Sequence, residues 1–114
     1  LHSRRMGGTK VCRLAVRVFA GLVRNVVEQY GADEIGVIIP HQVNQRIIES
    51  AMEQVDLPMD KVFCNIDRYG NTSAASVAIA LREAYDAGRL EKGKLVLMPA
   101  FGAGMAWGHV LLRW

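Results

Sequence analysis

Long apolar runs, clustered cysteines and low-complexity tracts are all absent from this sequence of 114 residues. No apolar stretch approaches the roughly 20 residues that a membrane-spanning helix needs. The N-terminus carries arginines but no apolar core followed by a small-residue cleavage site, so a signal peptide is not expected. The two cysteines, Cys12 and Cys64, form no CxxC pair and have no histidines at ligand spacing, which argues against a metal site and a disulfide framework. We therefore expect a reducing, cytoplasmic setting.

Charge and composition fit one small folded domain. Apolar residues make up 51% of the chain, so residues 1–114 can bury a core. The formal net charge of +3 favours acidic partners only mildly. Nucleic-acid binding is not expected, because the basic residues are few and no stacking aromatics are interleaved with them. The opening Leu1-His2-Ser3, which lacks an initiator methionine, favours a fragment or a processed chain.

Apolar spacing predicts an α/β arrangement of three helices and four strands. The first helix covers 10–30 and carries an apolar stripe of Val11, Leu14, Ala15, Val18, Leu22 and Val26. The other predicted helices cover 43–55 and 72–87, and the predicted strands cover 35–39, 62–64, 94–101 and 106–114.

Two polar residues stand where a predicted strand gives way to a helix. His41 follows the first strand and Pro40, and Asn71 stands just before the third helix. Ligand clefts of α/β sheets open at the carboxyl ends of strands, so these two side chains could share one cleft. Each also has a plain structural interpretation. His41 could be a loop histidine bonded to a backbone carbonyl, and Asn71 an N-cap.

The glycine-rich stretch 101–108 is not a dinucleotide fingerprint, because its third glycine comes one residue late and a strand-like run follows it. It could be a hairpin turn, or a turn whose backbone N–H groups face a ligand. Arg46, on the exposed side of the second helix, is either solvated or meets phosphate or an acidic protein. The same alternatives apply to Arg13, Arg17 and Arg24.

Three segments resemble the β-ketoacyl-acyl carrier protein synthase III family of condensing enzymes. They are Pro40-His41-Gln42-Val43-Asn44-Gln45-Arg46-Ile47-Ile48, the run Asn65 to Ser76 with Asn71-Thr72-Ser73 at its centre, and the run Ala100 to Gly108. The resemblance extends from about Met6 to Trp114. It implies the thiolase-like fold, in which two similar α/β halves form a five-layer αβαβα sandwich, and usually a homodimer. Residues 1–114 would be most of the C-terminal half.

The resemblance also implies a chemistry. In the family, a cysteine from the first half is acylated by acyl-CoA, malonyl-acyl carrier protein loses CO₂, and the resulting carbanion attacks the acyl-cysteine. His41 matches the catalytic histidine and Asn71 the catalytic asparagine. An imidazole N–H and an amide N–H₂ can both donate to the oxygen that becomes negative during decarboxylation.

Further site residues follow from the same resemblance. Asn44, Phe101 and Ala103 match substrate-binding positions, and Ala103 is expected to act through its backbone N–H. The segment Gln42, Val43, Asn44, Gln45 and Arg46 matches the part that docks the carrier protein. No metal and no cofactor are expected beyond the CoA and carrier-protein thioesters, which are substrates.

The sequence departs from the family at one decisive point, since neither Cys12 nor Cys64 lies in the context of the family's nucleophile. Without that cysteine no acyl-enzyme forms, so we expect this chain to be inactive without the missing N-terminal half. Two alternatives remain open. One is a related Cys-His-Asn condensing enzyme of secondary metabolism, and the other is a non-catalytic module that binds carrier protein.

Overall fold

The computed structural model describes residues 2–40, 45–63, 74–101 and 107–114. Its helices are α1 (His2–Tyr30), α2 (Gln45–Gln54) and α3 (Ala74–Asp86), and its strands are β1 (Ile35–Ile38), β2 (Leu95–Phe101) and β3 (Trp107–Arg113). Short 3-10 turns occupy Ala32–Glu34 and Met59–Lys61. The element order agrees with the α/β arrangement expected from apolar spacing. None of the described helices is both long and apolar enough to cross a membrane.

Helix α1 buries part of the apolar stripe that the sequence predicted. Ala15 and Val26 are buried as predicted, whereas Leu14 is 39% exposed, and Phe19 and Val23, outside the predicted stripe, are fully buried. The sequence offers two overlapping apolar stripes at helical spacing, and packing against the sheet selects the one that contains the large Phe19 side chain. The helix also begins earlier than predicted, at His2 rather than residue 10. The predicted polar side is correct: Arg13, Arg17 and Arg24 are exposed.

The three strands form one mixed sheet in the order β1-β2-β3. Strand β1 is parallel to β2, and β2 is antiparallel to β3. The predicted strand at 62–64 is present only as a parallel bridge between Val62 and Ile38. Since Ile38 also pairs with Leu97 of β2, β1 lies between β2 and the bridged segment. Three chain segments therefore run side by side in the same direction.

Helices cover both faces of this sheet. On one face, α1 and α2 pack on a cluster that includes Phe19, Met52 and Leu97. On the other face, α3 contributes Ala80 and Ala84 to a second cluster. Small residues on α3 let that helix lie close to the strands. A parallel pair covered on both faces explains why β1 and β2 read as continuous apolar runs.

A β-bulge at Gly36 decides which residues of β1 face which cluster. Ile35 pairs with Leu95 and Val37 with Val96, so two steps along β1 oppose one step along β2. Ile35 and Ile38 consequently reach the same cluster although they are three residues apart. A Cβ atom on Gly36 would lie 2.7 Å from the Lys94 Cβ, which is too close for any side chain. The bulge and the glycine therefore depend on each other.

We predict that Gly36→Ala lowers the free energy of unfolding by about 1–3 kcal/mol, because the strands must separate to admit the new methyl group. The measurement is urea denaturation followed by circular dichroism. Gly21→Ala is the matched control. Nothing lies within 4 Å of a Cβ at Gly21, which is inside α1, so alanine there should raise the unfolding free energy by about 0.5–1 kcal/mol. Equal effects of the two substitutions would contradict the proposed crowding at Gly36.

Candidate active site at the carboxyl edge of the sheet

Three parallel stretches of backbone run towards one edge of the sheet. β1 ends at Ile38, the segment bridged to it is described as far as Phe63, and β2 ends at Phe101. Pro40, which follows β1, is fully buried, so this edge lies against the protein core. Carboxyl ends of parallel strands are the places where α/β sheets open their ligand clefts. This edge is therefore the candidate site that the described fold supports.

One peptide group of β1 holds the three stretches together. The Phe63 N–H donates to the carbonyl oxygen of Ile38 at 2.9 Å, and the Ile39 N–H donates to the carbonyl oxygen of Leu97 at 2.8 Å. The C=O and N–H of a single peptide point in opposite directions across a strand. The bonds therefore tie the carboxyl end of β1 to the bridged segment on one side and to β2 on the other, just before Pro40.

The sequence attaches one predicted site residue to each of these three ends. His41 follows Pro40, Asn71 lies within the stretch 64–73 that follows Phe63, and Ala103 lies just after β2. Six predicted site residues are outside the described part of the chain: His41, Gln42, Val43, Asn44, Asn71 and Ala103. Their roles stay predictions. The described backbone brings together the segments that lead to them.

Three predicted site residues do fall within the described part of the chain. Phe101 is the last residue of β2, and its backbone pairs with Trp107 of β3. Gln45 opens α2 and donates from Nε2 to Glu49 Oε2 at 3.3 Å. Arg46 follows it and is exposed, as the sequence predicted. Helix α2 therefore begins directly after the stretch that contains His41 and presents Arg46 in its first turn.

Helices α1 and α2 enclose a groove of about 510 Å³ beside Arg46. Its lining residues, which together we call the basic groove, are Arg13, Val16, Arg17, Arg46, Ile47, Ser50 and Gln54. The lining combines three arginines with the apolar side chains of Val16 and Ile47 and two neutral polar side chains. Guanidinium groups are suited to bidentate bonds with carboxylate or phosphate. The groove can therefore receive a surface that carries both negative charge and apolar groups.

The sequence identified Arg46 for this role but left Arg13 and Arg17 undecided. The signal available in the sequence was their spacing of four residues, which places both on one side of α1. The sequence does not show that α1 packs against α2, or that the side of α1 that carries the two arginines lies next to the start of α2. Only the packed structure joins the two arginines of α1 to Arg46.

Metal binding would require several ligating side chains close together. Among the described residues, no group of three or more His, Cys, Asp or Glu side chains is arranged to hold a metal ion. Two of the described acidic side chains form ion pairs away from the candidate site. Arg82 pairs with Asp86 within α3, and Arg113 pairs with Glu34 at the other end of the sheet.

Residues 27–114 match the family model described as the C-terminal part of 3-oxoacyl-[acyl-carrier-protein (ACP)] synthase III. Among curated proteins, the chain is 49% identical over 111 residues to a beta-ketoacyl-[acyl-carrier-protein] synthase III of Rhodopirellula baltica. The alignment covers 96% of this chain but 32% of that protein. The chain thus spans about a third of the length of the curated relatives it matches.

Solved structures show the same likeness. A 3-oxoacyl-[acyl-carrier-protein] synthase III from Aquifex aeolicus is 47% identical, with a TM-score of 0.77 over 94% of this chain and 35% of that one. A priming β-ketosynthase of the R1128 polyketide pathway is 34% identical, with a TM-score of 0.71 over 93% of this chain and 33% of that one. These likenesses confirm the thiolase-like α/β fold that was expected from the sequence.

Proposed function

The chain belongs to the 3-oxoacyl-acyl carrier protein synthase III family, and from that premise we propose that it is the C-terminal part of a β-ketoacyl-acyl carrier protein synthase III. The complete enzyme would start fatty-acid synthesis by condensing an acyl group from acyl-CoA with malonyl-acyl carrier protein. The family match gives the reaction class. The observation that carries the assignment to this chain is the sheet edge at which the ends of β1, β2 and the bridged segment meet.

The proposed site has a simple chemical task. Decarboxylation of malonyl-acyl carrier protein breaks the bond between the carboxylate carbon and C2, releases CO₂ and leaves the electron pair delocalised onto the thioester oxygen. His41 would donate a ring N–H to that oxygen, and Asn71 an amide N–H. Donors fixed in advance around a developing oxyanion lower the barrier, because they need not reorganise during the reaction.

The reaction also needs a nucleophile from outside this chain. We propose that, before decarboxylation, a cysteine in the missing N-terminal half takes the acyl group from acyl-CoA and releases CoA. The enolate carbon then attacks the acyl carbonyl, and the cysteine thiolate leaves as the β-ketoacyl product forms. Phe101, Ala103 and Asn44 would line the approach of the substrates. The homodimer, and the use of no metal or cofactor, belong to the same proposal.

The basic groove supports carrier-protein docking on this chain. It lies between α1 and α2, and α2 begins directly after the His41 segment. A partner that brings an acidic surface or a phosphate to Arg46 would therefore hold its thioester arm near the carboxyl edge of the sheet. Gln42 to Gln45 would contribute to the same contact. Arg13 and Arg17 extend it onto α1, beyond the segment that the sequence identified.

A second candidate has one specific observation in its favour. The R1128 priming β-ketosynthase shares 34% identity and a TM-score of 0.71 with this chain, so a related condensing enzyme of secondary metabolism would have the same fold. Comparing acyl-CoA primers and carrier proteins from the two kinds of pathway distinguishes the candidates. We retain the synthase III of fatty-acid synthesis as the proposal, because the Rhodopirellula baltica and Aquifex aeolicus proteins, both described as synthase III, are 49% and 47% identical to this chain, against 34% for the priming β-ketosynthase.

We predict that the isolated chain releases no CoA from acetyl-CoA and malonyl-acyl carrier protein, while the complete enzyme does. The reason is the missing nucleophile, since the condensation requires an acyl-cysteine. Free thiol formation gives the measurement, and circular dichroism checks that the isolated chain is folded. CoA release by the isolated chain would contradict the proposed division of labour. If the naturally occurring polypeptide has only this length and is folded but inactive, the carrier-protein-binding module is favoured instead.

We predict that His41→Ala or Asn71→Ala in the complete enzyme slows malonyl decarboxylation by about 10²–10³-fold, the usual cost of removing one oxyanion donor. Self-acylation by acyl-CoA should change much less, because it does not form the malonyl oxyanion. Labelled CO₂ release and the mass of the acylated protein measure the two steps. His109→Ala and Asn25→Ala are matched controls at exposed positions. Equal losses in both steps, or none, would refute the assigned roles.

We predict that Arg46→Glu or Arg13→Glu raises the KM for malonyl-acyl carrier protein by roughly tenfold, with a smaller effect at high salt because the interaction is screened. Malonyl-CoA, which lacks the protein surface, should be affected much less. Arg24→Glu is the control, since Arg24 is exposed on the same helix but lies outside the residues that line the basic groove. If Arg24→Glu and Arg13→Glu raise KM equally, the groove is not the docking surface.

A further inference from the structure

Arg89 follows the end of α3, and its side chain contacts a distant segment of the chain. Helix α3 ends at Asp86, and Gly88, two residues later, has φ 73. The Arg89 N–H donates to the Ala84 carbonyl oxygen at 2.9 Å, and the Gly88 N–H donates to the Tyr85 carbonyl oxygen at 3.0 Å. This pair of bonds is the Schellman arrangement, which fixes the direction in which the chain leaves a helix. The helix end therefore sets the position of the Arg89 backbone.

The Arg89 side chain reaches back to a segment almost thirty residues earlier. Its Nη2 donates to the carbonyl oxygen of Asp60 at 2.5 Å and to that of Val62 at 3.3 Å. Its Cζ lies 5.6 Å from the centre of the Phe63 ring. A planar guanidinium can donate from its edge while its face lies on an aromatic ring, which a lysine ammonium cannot do. One side chain thus contacts three of the four residues from Asp60 to Phe63.

The segment that Arg89 holds has few other backbone bonds to the sheet. Its pairing with β1 is a bridge at Val62 and not a regular strand, with the bond from Phe63 N–H to Ile38 described above. Lys61 adds a bond from Nζ to the Ile35 carbonyl oxygen at 2.8 Å. Because a single bridge restrains a segment less than a full ladder, each extra bond from a side chain matters more for its position.

Asp60 to Phe63 lead directly into the stretch 64–73, which contains Asn71, and α3 begins directly after that stretch. Arg89 at the end of α3 therefore closes a loop of chain from Val62 to Arg89. We infer that Arg89 is a positioning residue, which holds the entry to the Asn71 stretch against the helix that follows it. This inference rests on the proposed function, because it assigns a consequence for Asn71.

Arg82 supplies a matched control on the same helix. It also lies over an aromatic ring, with its Cζ 5.8 Å from the centre of Tyr85, and it also makes a charged contact, with Asp86 at 3.3 Å. Both partners belong to α3, so these contacts do not join α3 to another segment. Arg82→Gln and Arg89→Gln thus remove the same charge and similar contacts, but the second alone releases Asp60 and Val62.

The test uses the complete enzyme and follows decarboxylation and self-acylation separately. Arg89→Gln should lower kcat for malonyl decarboxylation by roughly tenfold to a hundredfold, the size of effect that a small misplacement of a reacting group produces. KM for malonyl-acyl carrier protein and the self-acylation rate should stay within about twofold of the parent enzyme. Arg89→Lys, which keeps the charge but not the planar fork, should restore part of the loss. Arg82→Gln should change none of these rates.

A merely structural role predicts a different pattern. Both half-reactions would then decline in the same proportion, whatever the change in thermal midpoint. That outcome, or equal behaviour of Arg89→Gln and Arg82→Gln, overturns the inference. If Arg89→Gln fails to fold, Phe63→Leu tests the same claim, because it removes the ring contact and leaves both carbonyl bonds in place. Phe63→Leu should reduce decarboxylation but not self-acylation, and the reduction should be smaller than that expected for Arg89→Gln.

A double variant separates this inference from the proposed function. If Arg89 acts through Asn71, adding Arg89→Gln to Asn71→Ala should lower decarboxylation by less than about twofold more, since there is no longer a donor to misplace. If the losses of the two single variants multiply in the double variant, the inference is overturned. If Asn71→Ala alone has no effect, the proposed function fails. If Asn71→Ala impairs decarboxylation but Arg89→Gln does not, only the positioning role fails.

Discussion

The peptide group between Ile38 and Ile39 is the constraint on which the rest of the structure depends. Its carbonyl accepts the Phe63 N–H, and its N–H donates to Leu97. A buried peptide must satisfy both of its polar groups, and here each partner belongs to a different part of the chain. The same two bonds that satisfy this peptide also align the three segments that continue towards residues 41, 64 and 102. Core stability and the assembly of the candidate site therefore rely on one element.

Positive charge is found in at least two separate regions of the described chain. At the edge where β1 and β2 begin, Lys61, Lys94 and Arg113 all donate to backbone carbonyls within the fold. Such bonds fasten loops around the sheet and use the charge internally. The basic groove between α1 and α2 instead surrounds open volume. A net charge of +3 gives no hint of this division, because it counts both sets alike.

The sequence predicted those features that depend on local spacing. The apolar runs of β1 and β2, the helices α2 and α3, and the exposed position of Arg46 were all readable from it. Features that depend on contacts between distant segments were not. The buried face of α1 was predicted only in part, with Ala15 and Val26 buried but Leu14 exposed, because two apolar stripes overlap and only the packed sheet selects Phe19. The family motifs are what predict His41 and Asn71, and those roles stay predictions.

The bulge at Gly36 has a consequence for how this fold tolerates change. Beyond it, Val37, Ile38 and Ile39 alternate regularly between the two clusters up to Pro40. Before the bulge, the face on which Ile35 lies does not continue this alternation, because it is set by the pairing of Ile35 with Leu95. The two ends of this short strand are therefore out of phase with each other. The face on which Ile35 lies does not determine the faces of Val37, Ile38 and Ile39, which lead to Pro40.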